Sequence, residues 1–219
     1  MKKVKRIALA LVCVLVIGVL SGCGSKFDAK AYMEAMLDAS YKNDPTKFVD
    51  MKIGTKEEAA ALYEKGIDAE MDAFLSELSI SEELEGEFRE MFKNMLSQVK
   101  YTVDSAEEQD KETWVVNITY EKMLIFAPVM EEYETAITEM ITDWTTAATA
   151  GEETPSEDEM MEQMIAKLKD CMENNLTGVE YAEPATTTVK VELVDNVWTP
   201  NQSDIENLEM LLFDTDEAQ

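Results

Sequence analysis

Serine, lysine, carboxylates, thioethers and three thiols are the groups in this chain that could do chemistry; histidine, the usual proton carrier near neutral pH, does not occur. Its absence excludes Ser-His-Asp and Cys-His hydrolases and imidazole-bound zinc. Ser97 and Lys100 have the Ser-x-x-Lys spacing in which a lysine amine takes a serine proton. The Ser-Asp-Asn and Lys-Thr-Gly elements that such a site also uses are missing, and Ser97 falls where a helix passes into a strand, so the spacing reads as chance. Paired carboxylates such as Glu131-Glu132, Glu152-Glu153 and Asp158-Glu159 have the composition of an acid and a base for glycoside cleavage. Among 46 acidic residues such pairs are unavoidable, and most of these lie on polar helix faces, which reads as solvated surface. No Asp-x-Asp-x-Asp-Gly loop occurs, and Asp214-Thr215-Asp216-Glu217 lacks the glycine turn and distal glutamate of a calcium loop. The methionines share three-and-four rows with Leu, Ile and Phe, which favours core packing over copper(I) coordination. The glycines are too scattered to cradle a phosphate. Neither a metal nor a cofactor is expected.

Charge narrows the field further. Nineteen Lys and Arg against 46 Asp and Glu give a net charge of -27, and four of the basic residues crowd into Met1-Lys2-Lys3-Val4-Lys5-Arg6. A surface that acidic repels nucleic acid and anionic lipid headgroups, so neither is expected to bind through basic patches. After the cationic start come fourteen uncharged, mostly apolar residues from Ile7 to Leu20, too few to span a bilayer, then Leu20-Ser21-Gly22-Cys23. A positive start, an apolar stretch and small residues before a cleavage point make an export signal. A transmembrane anchor with a chance cysteine is the weaker reading on length and flanks.

Leu20-Ser21-Gly22-Cys23 resembles the lipobox of bacterial lipoproteins at all four positions. The resemblance implies diacylglyceryl transfer to Cys23, cleavage between Gly22 and Cys23, palmitate-type acylation and retention at the extracytoplasmic face of the cell membrane. Two acyl chains would anchor it stably where one is reversible. Cys13 would leave with the signal. That leaves Cys171 without an internal disulfide partner, in an apolar helical row beside Asp170 and Glu173, where a small buried hydrophobe is favoured over a reactive thiol.

Positioning any site falls to the elements of the mature chain. Asp28 caps a first helix with Tyr32, Met33, Met36, Leu37 and Tyr41 on one face, ended by Asn43-Asp44-Pro45. Thr55-Lys56-Glu57-Glu58 reads as a capping box for a six-turn helix reaching Leu78, and Ser81 starts a third helix. Val99 to Val103 and Trp114 to Tyr120 alternate with period two, an antiparallel hairpin with one aromatic-rich face. Pro128 suits the first turn of a fourth helix ending near Trp144; Thr145 to Pro155 reads as an exposed loop, and Ser156-Glu157-Asp158-Glu159 caps a fifth helix. Thr187 to Leu193 and Val197-Trp198 are strands around an Asp195-Asn196 turn, and a short helix closes the chain.

These runs predict an α+β domain with several helices packed on a curved antiparallel sheet. Residues 1–22 are assigned to the signal, 23–26 to the lipidated cysteine and a short tether, 27–213 to a single domain and 214–219 to a frayed acidic tail. The element order and Val197-Trp198-Thr199-Pro200 resemble cystatin-like and nuclear-transport-factor-2-like lipoproteins of Gram-positive bacteria. Lys30-Ala31-Tyr32 to Tyr41-Lys42, and Thr55-Lys56-Glu57-Glu58-Ala59 to Tyr63-Glu64-Lys65-Gly66-Ile67, resemble an uncharacterised family of such lipoproteins. That likeness implies a fold and an address but no activity.

Tyr101, Trp114, Tyr120, Tyr133 and Trp144 are the large amphipathic side chains expected toward an open end of the sheet. Periodicity is the same for a packed face and a cavity wall, so they either line a pocket for an apolar ligand or peptide or fill the core. The function expected is a lipid-anchored, non-catalytic binding module for an envelope protein or a small ligand. A small cavity enzyme using an Asp or Glu with a Tyr is the alternative. A solute-binding transporter component is less favoured, since only one lobe can be drawn.

Overall fold

A computed structural model describes residues 27–75 and 80–214. The expected export signal, Cys23 and the expected Gly22–Cys23 cleavage point lie outside them. Seven helices and six strands follow in the order α1 (Ala29–Tyr41), α2 (Thr46–Asp50), α3 (Lys56–Leu75), α4 (Glu82–Ser97), β1 (Lys100–Glu108), β2 (Thr113–Glu121), β3 (Met123–Leu124), α5 (Phe126–Ala150), α6 (Glu157–Leu176), β4 (Glu180–Tyr181), β5 (Ala185–Val194), β6 (Val197–Pro200) and α7 (Gln202–Leu212). The expected α+β class, helices on an antiparallel sheet, is what forms.

The capping residues set the helix starts. Asp28 accepts from the Ala31 amide, and Ser81 from that of Leu84. Thr55 and Glu58 exchange amide-to-side-chain bonds of 2.7 and 3.2 Å, and Ser156 and Glu159 form the second reciprocal box. One short helix, α2, carries no helical period and escapes a sequence reading; its Phe48 is buried. A Cβ at Gly54 would stand 2.6 Å from the Phe48 ring, so only glycine lets this turn close.

The main sheet has the order β1-β2-β5-β6, antiparallel throughout. Tyr101 pairs with Tyr120 and Val103 with Ile118; the register then slips by one residue at Asp104. This bulge changes which parity faces inward, so Ala106 continues the inner row of β1 opposite Val116. Asp104 is held on both sides, its carboxylate accepting from Thr119 Oγ1 (2.7 Å) and its carbonyl from Lys30 Nζ (2.9 Å). The β5–β6 turn uses Asp195 and Asn196 at φ of 51° and 71°, the left-handed pair a two-residue hairpin requires.

The inner face, with Val116, Ile118, Val189 and Val191 fully buried, packs on α1 and α7, while Thr102, Asp104, Thr186 and Thr188 of the outer face are exposed. Helix α1 is enclosed on nearly every side rather than along one face, because α3 covers what the sheet does not. From there the layers run outward, α4 on α3, α6 on α4 and α5 on α6.

Two expectations are corrected. The loop expected over Thr145 to Pro155 is shorter: α5 continues to Ala150, where Gly151 caps it at φ 77°, and only residues 151–155 lie between the helices as a loop. The hydroxyls of Thr142, Thr145, Thr146 and Thr149 each donate to the carbonyl four residues back, so a run that looks polar and unpatterned satisfies itself inside a helix. Nor does the frayed tail begin at Asp214. That residue is fully buried, and its carboxylate accepts from the amides of Ile125 (3.0 Å), Phe126 (2.9 Å) and Ala127 (3.2 Å). Helix α5 has no side-chain cap of its own, so the end of the chain supplies a charged one from 89 residues away.

Candidate functional site

The five aromatic residues singled out in the sequence do not line one pocket. Tyr101 and Tyr120 meet across the β1–β2 register. Trp114 lies six residues further along β2, about 20 Å away at strand rise, where its ring stands edge-on to Phe27 at 6.3 Å. Phe27 in turn stacks on Trp198 at 4.3 Å, and the Tyr32 hydroxyl donates to the Trp198 carbonyl at 2.7 Å. This aromatic cluster fastens the first described residues to the sheet. Tyr133 and Trp144 belong to α5, outside the sheet altogether; burial pushes the Tyr133 phenol up. A period-two pattern fixes which side of a strand a residue is on, and says nothing of how far along a sheet two residues stand.

A cleft of about 300 Å³ opens at the Tyr101–Tyr120 end, walled by Lys42, Val99, Lys100, Tyr101, Thr102, Thr119, Tyr120 and Glu121. Behind it sits Asp38 on α1, whose carboxylate accepts from the Tyr101 hydroxyl (2.7 Å), Lys42 Nζ (3.3 Å) and Lys47 Nζ (3.2 Å). Lys47 also reaches Glu34 at 2.6 Å, and that carboxylate, then Asp38, holds its ammonium above the ordinary lysine range. Burial first, and the bond to Asp38 second, push the Tyr101 phenol far above its usual value. The phenol therefore stays protonated and donates; it is neither a base nor a nucleophile. The two lysines at the mouth are also engaged: Lys42 lies 4.1 Å from the Tyr101 ring centroid, and Lys100 lies 3.6 Å from that of Tyr181 while pairing with Glu121 at 3.2 Å.

The remaining candidates resolve into structural roles. Ser97 Oγ donates to the Asn94 carbonyl at 2.7 Å while Lys100 turns to Glu121, so the Ser-x-x-Lys pair is not assembled. Glu132 accepts from Asn174 and Asn175, bonds that hold its carboxyl below the usual range, and Glu159 serves the α6 cap. Met33, Met36, Met91, Met95 and Met172 are core residues, and among the described residues no three carboxylates or thiols gather as for a metal. Cys171 is buried, and desolvation, then Glu132, raises its thiol pKa.

The sequence reading missed two features. Glu70 on α3 is 1% exposed, and its Oε1 has no hydrogen-bond partner among the described residues; burial raises its carboxyl to about 7. The second is the antiparallel pair of α5 and α6, joined where Glu132 meets Asn174 and Asn175. Only Val129 and Ala136 of the 25 residues in α5 are buried, and Ile141 and Met161 are 48% and 50% exposed. The pair forms an arm, and toward its free end it meets the rest of the fold where the Ser81 amide donates to Glu162 at 3.2 Å. The signal was present, since Ile137, Met140, Ile141 and Trp144 keep the helical period, but period alone does not say whether a stripe is covered.

Neither a protein family nor a curated protein matches the chain in sequence. In structure it is similar to a crystal structure described as a "putative lipoprotein (ycdA)" from Bacillus subtilis subsp. subtilis str. 168, with a TM-score of 0.54 and 15% sequence identity. The match covers 85% of this chain and 56% of that one, so this chain spans little more than half of that protein's length. At this identity the likeness concerns the fold. No helix among the described residues is long and apolar enough to cross a membrane.

Proposed function

We propose that the protein is an exported lipoprotein, moored by acyl chains on Cys23 to the extracytoplasmic face of the cell membrane, that acts without catalysis by binding another protein of the envelope. Leu20-Ser21-Gly22-Cys23 supports the anchor, and the lipoprotein description of the structural neighbour agrees with it. The observation that carries the binding role is the contrast between a filled interior and an uncovered arm. Tyr41, Phe88, Phe92 and Phe213 are fully buried in the core, and the charged groups at the cleft are paired among themselves. Apolar side chains of α5 and α6 meanwhile remain in water.

A cavity enzyme is the second reading, because Asp38 and Tyr101 do form a carboxylate–phenol pair beside the cleft. The carboxylate is already engaged by two ammonium groups and by the phenol that donates to it, so the contacts of the pair are made within the protein.

Labelled palmitate should enter the wild-type protein and not Cys23→Ala, which should leave the membrane fraction. Crosslinking of the lipidated protein in intact cells, followed by native mass spectrometry, should recover a protein partner and no retained small molecule. Equal membrane retention of Cys23→Ala removes the anchor; a stoichiometric small ligand whose release follows Tyr101→Phe removes the protein-binding role.

A further inference from the structure

We propose that the α5–α6 arm is the docking surface and that its occupant is a cationic amphipathic helix of a partner protein. The inference rests on the binding role proposed above and names its surface and the chemistry of its partner.

The stripe of Ile137, Met140, Ile141 and Trp144 on α5 stands beside Met161 and Met164 on α6, none of the six fully buried. The register set by Glu132 against Asn174 and Asn175 brings Trp144 level with Met161 near the free end. Two antiparallel helices sharing one open apolar seam are two-thirds of a three-helix bundle, and a third helix presenting residues at i, i+3, i+4 and i+7 fills it. Methionines let such a seam adapt to side chains of differing shape.

Charge selects the occupant. From Phe126 to Ala166 the sequence holds eleven Asp and Glu and no Lys or Arg, the arm's two lysines, Lys167 and Lys169, coming only after it, whereas α1 to α4 each carry at least one Lys or Arg. In the body acids have cationic partners, as Glu64 and Asp68 have Arg89. Glu134, three and seven residues before Ile137 and Ile141, and Glu157, one turn before Met161, are exposed and border the stripe. A second copy of this chain would set one strongly anionic arm end against another, and a bilayer surface rich in anionic lipid would be repelled as well. Apolar residues flanked by Lys or Arg satisfy both the seam and its rim, the rim steering encounter and the seam holding the complex.

The test uses the full-length lipoprotein in its own cells, with a photoreactive phenylalanine analogue at position 141 or 161 of the arm, at position 102 of the cleft, or at position 210, an exposed methionine site on α7. Positions 141 and 161 should capture one protein, and the attachment peptide read by mass spectrometry should carry Lys or Arg around spaced apolar residues; position 210 should not capture it. Ile141→Ser should lower capture from position 161 by roughly tenfold, the loss of one buried aliphatic contact. Glu134→Gln with Glu157→Gln should lower it further and flatten its dependence on salt. Unchanged thermal melting confirms that these exposed substitutions leave the fold intact. Attachment to this same chain, to lipid or to a peptide without cationic residues overturns the proposal, as does equal capture at position 210. Capture at position 102 alone overturns the arm and leaves the binding role standing, whereas no capture from any position removes both.

Discussion

The body around α1 and the arm formed by α5 and α6 are built from the same residue types and put them to opposite use. In α1, ten of thirteen residues are buried, and Asp38 among them receives a phenol and two ammonium groups. In α5, nearly twice as long, two residues are buried, and the outer threonines satisfy their own helix's carbonyls. Both helices carry an apolar stripe; what differs is the number of elements laid against it. Burial is thus a property of the neighbourhood, and a helix that hydrogen-bonds itself can leave its stripe open for something else.

The join between the two regions is where the comparison is most easily broken. Asp214 ties the chain end to the first turn of α5, so Asp214→Ala orphans three amides that face a buried site. Its cost should be about 3 kcal/mol, from charge-assisted bonds and the helix dipole together. Urea unfolding would measure it, and a loss below about 1 kcal/mol would mean that α5 is held by its packing instead.

Glu70 tests the body itself. Its folded-state pKa of about 7 lies above the ordinary 4.5, so below pH 4.5 both states are protonated and no penalty exists. As pH rises to 7 the unfolded chain ionises first, and stability falls by on the order of 2–3 kcal/mol before levelling. Glu70→Gln should remove that slope, giving its largest gain at pH 8 and none near pH 4. Melts across that range that run parallel for both proteins would show that Glu70 is not desolvated.

Cys171 reads the arm's independence, since it lies under α5 near Glu132 and Tyr133. Thiol labelling of the native protein should report an opening free energy about 1–2 kcal/mol below that of global unfolding. Equal values would make arm and body one cooperative unit. The smallest effect belongs to the seam: Ile141→Ser or Met161→Ser should shift stability by no more than about 0.5 kcal/mol, because half-exposed side chains have little burial to lose. Calorimetric melting would detect a larger loss, and that would mean the seam is already covered.

How much was legible from sequence follows the range of the interaction. Caps at Asp28, Thr55, Ser81 and Ser156 are contacts over three residues and could be read directly. The hairpin alternation held as far as the bulge at Asp104, where one extra residue changes the parity. Strands β3 and β4, two residues each, carry no period at all. The threonine-rich end of α5 was misleading because its bonds run backward along the helix and leave no hydrophobic pattern. Of the candidate site, residue types were legible and distances were not: Tyr101 and Tyr120 came together, while Trp114, Tyr133 and Trp144 went elsewhere.

The sequence by itself determined the acidic charge, the lack of histidine chemistry, the lipobox-like cysteine and most helix starts, since composition and contacts a few residues apart need no partner from a distance. Tertiary structure alone decided that Asp38 would be answered by Tyr101, that Asp214 would cap a helix 89 residues earlier and that one apolar stripe would be buried while another stayed open. Those outcomes depend on which surfaces a folded chain brings together, a choice made by the packing of the whole and written in no single segment.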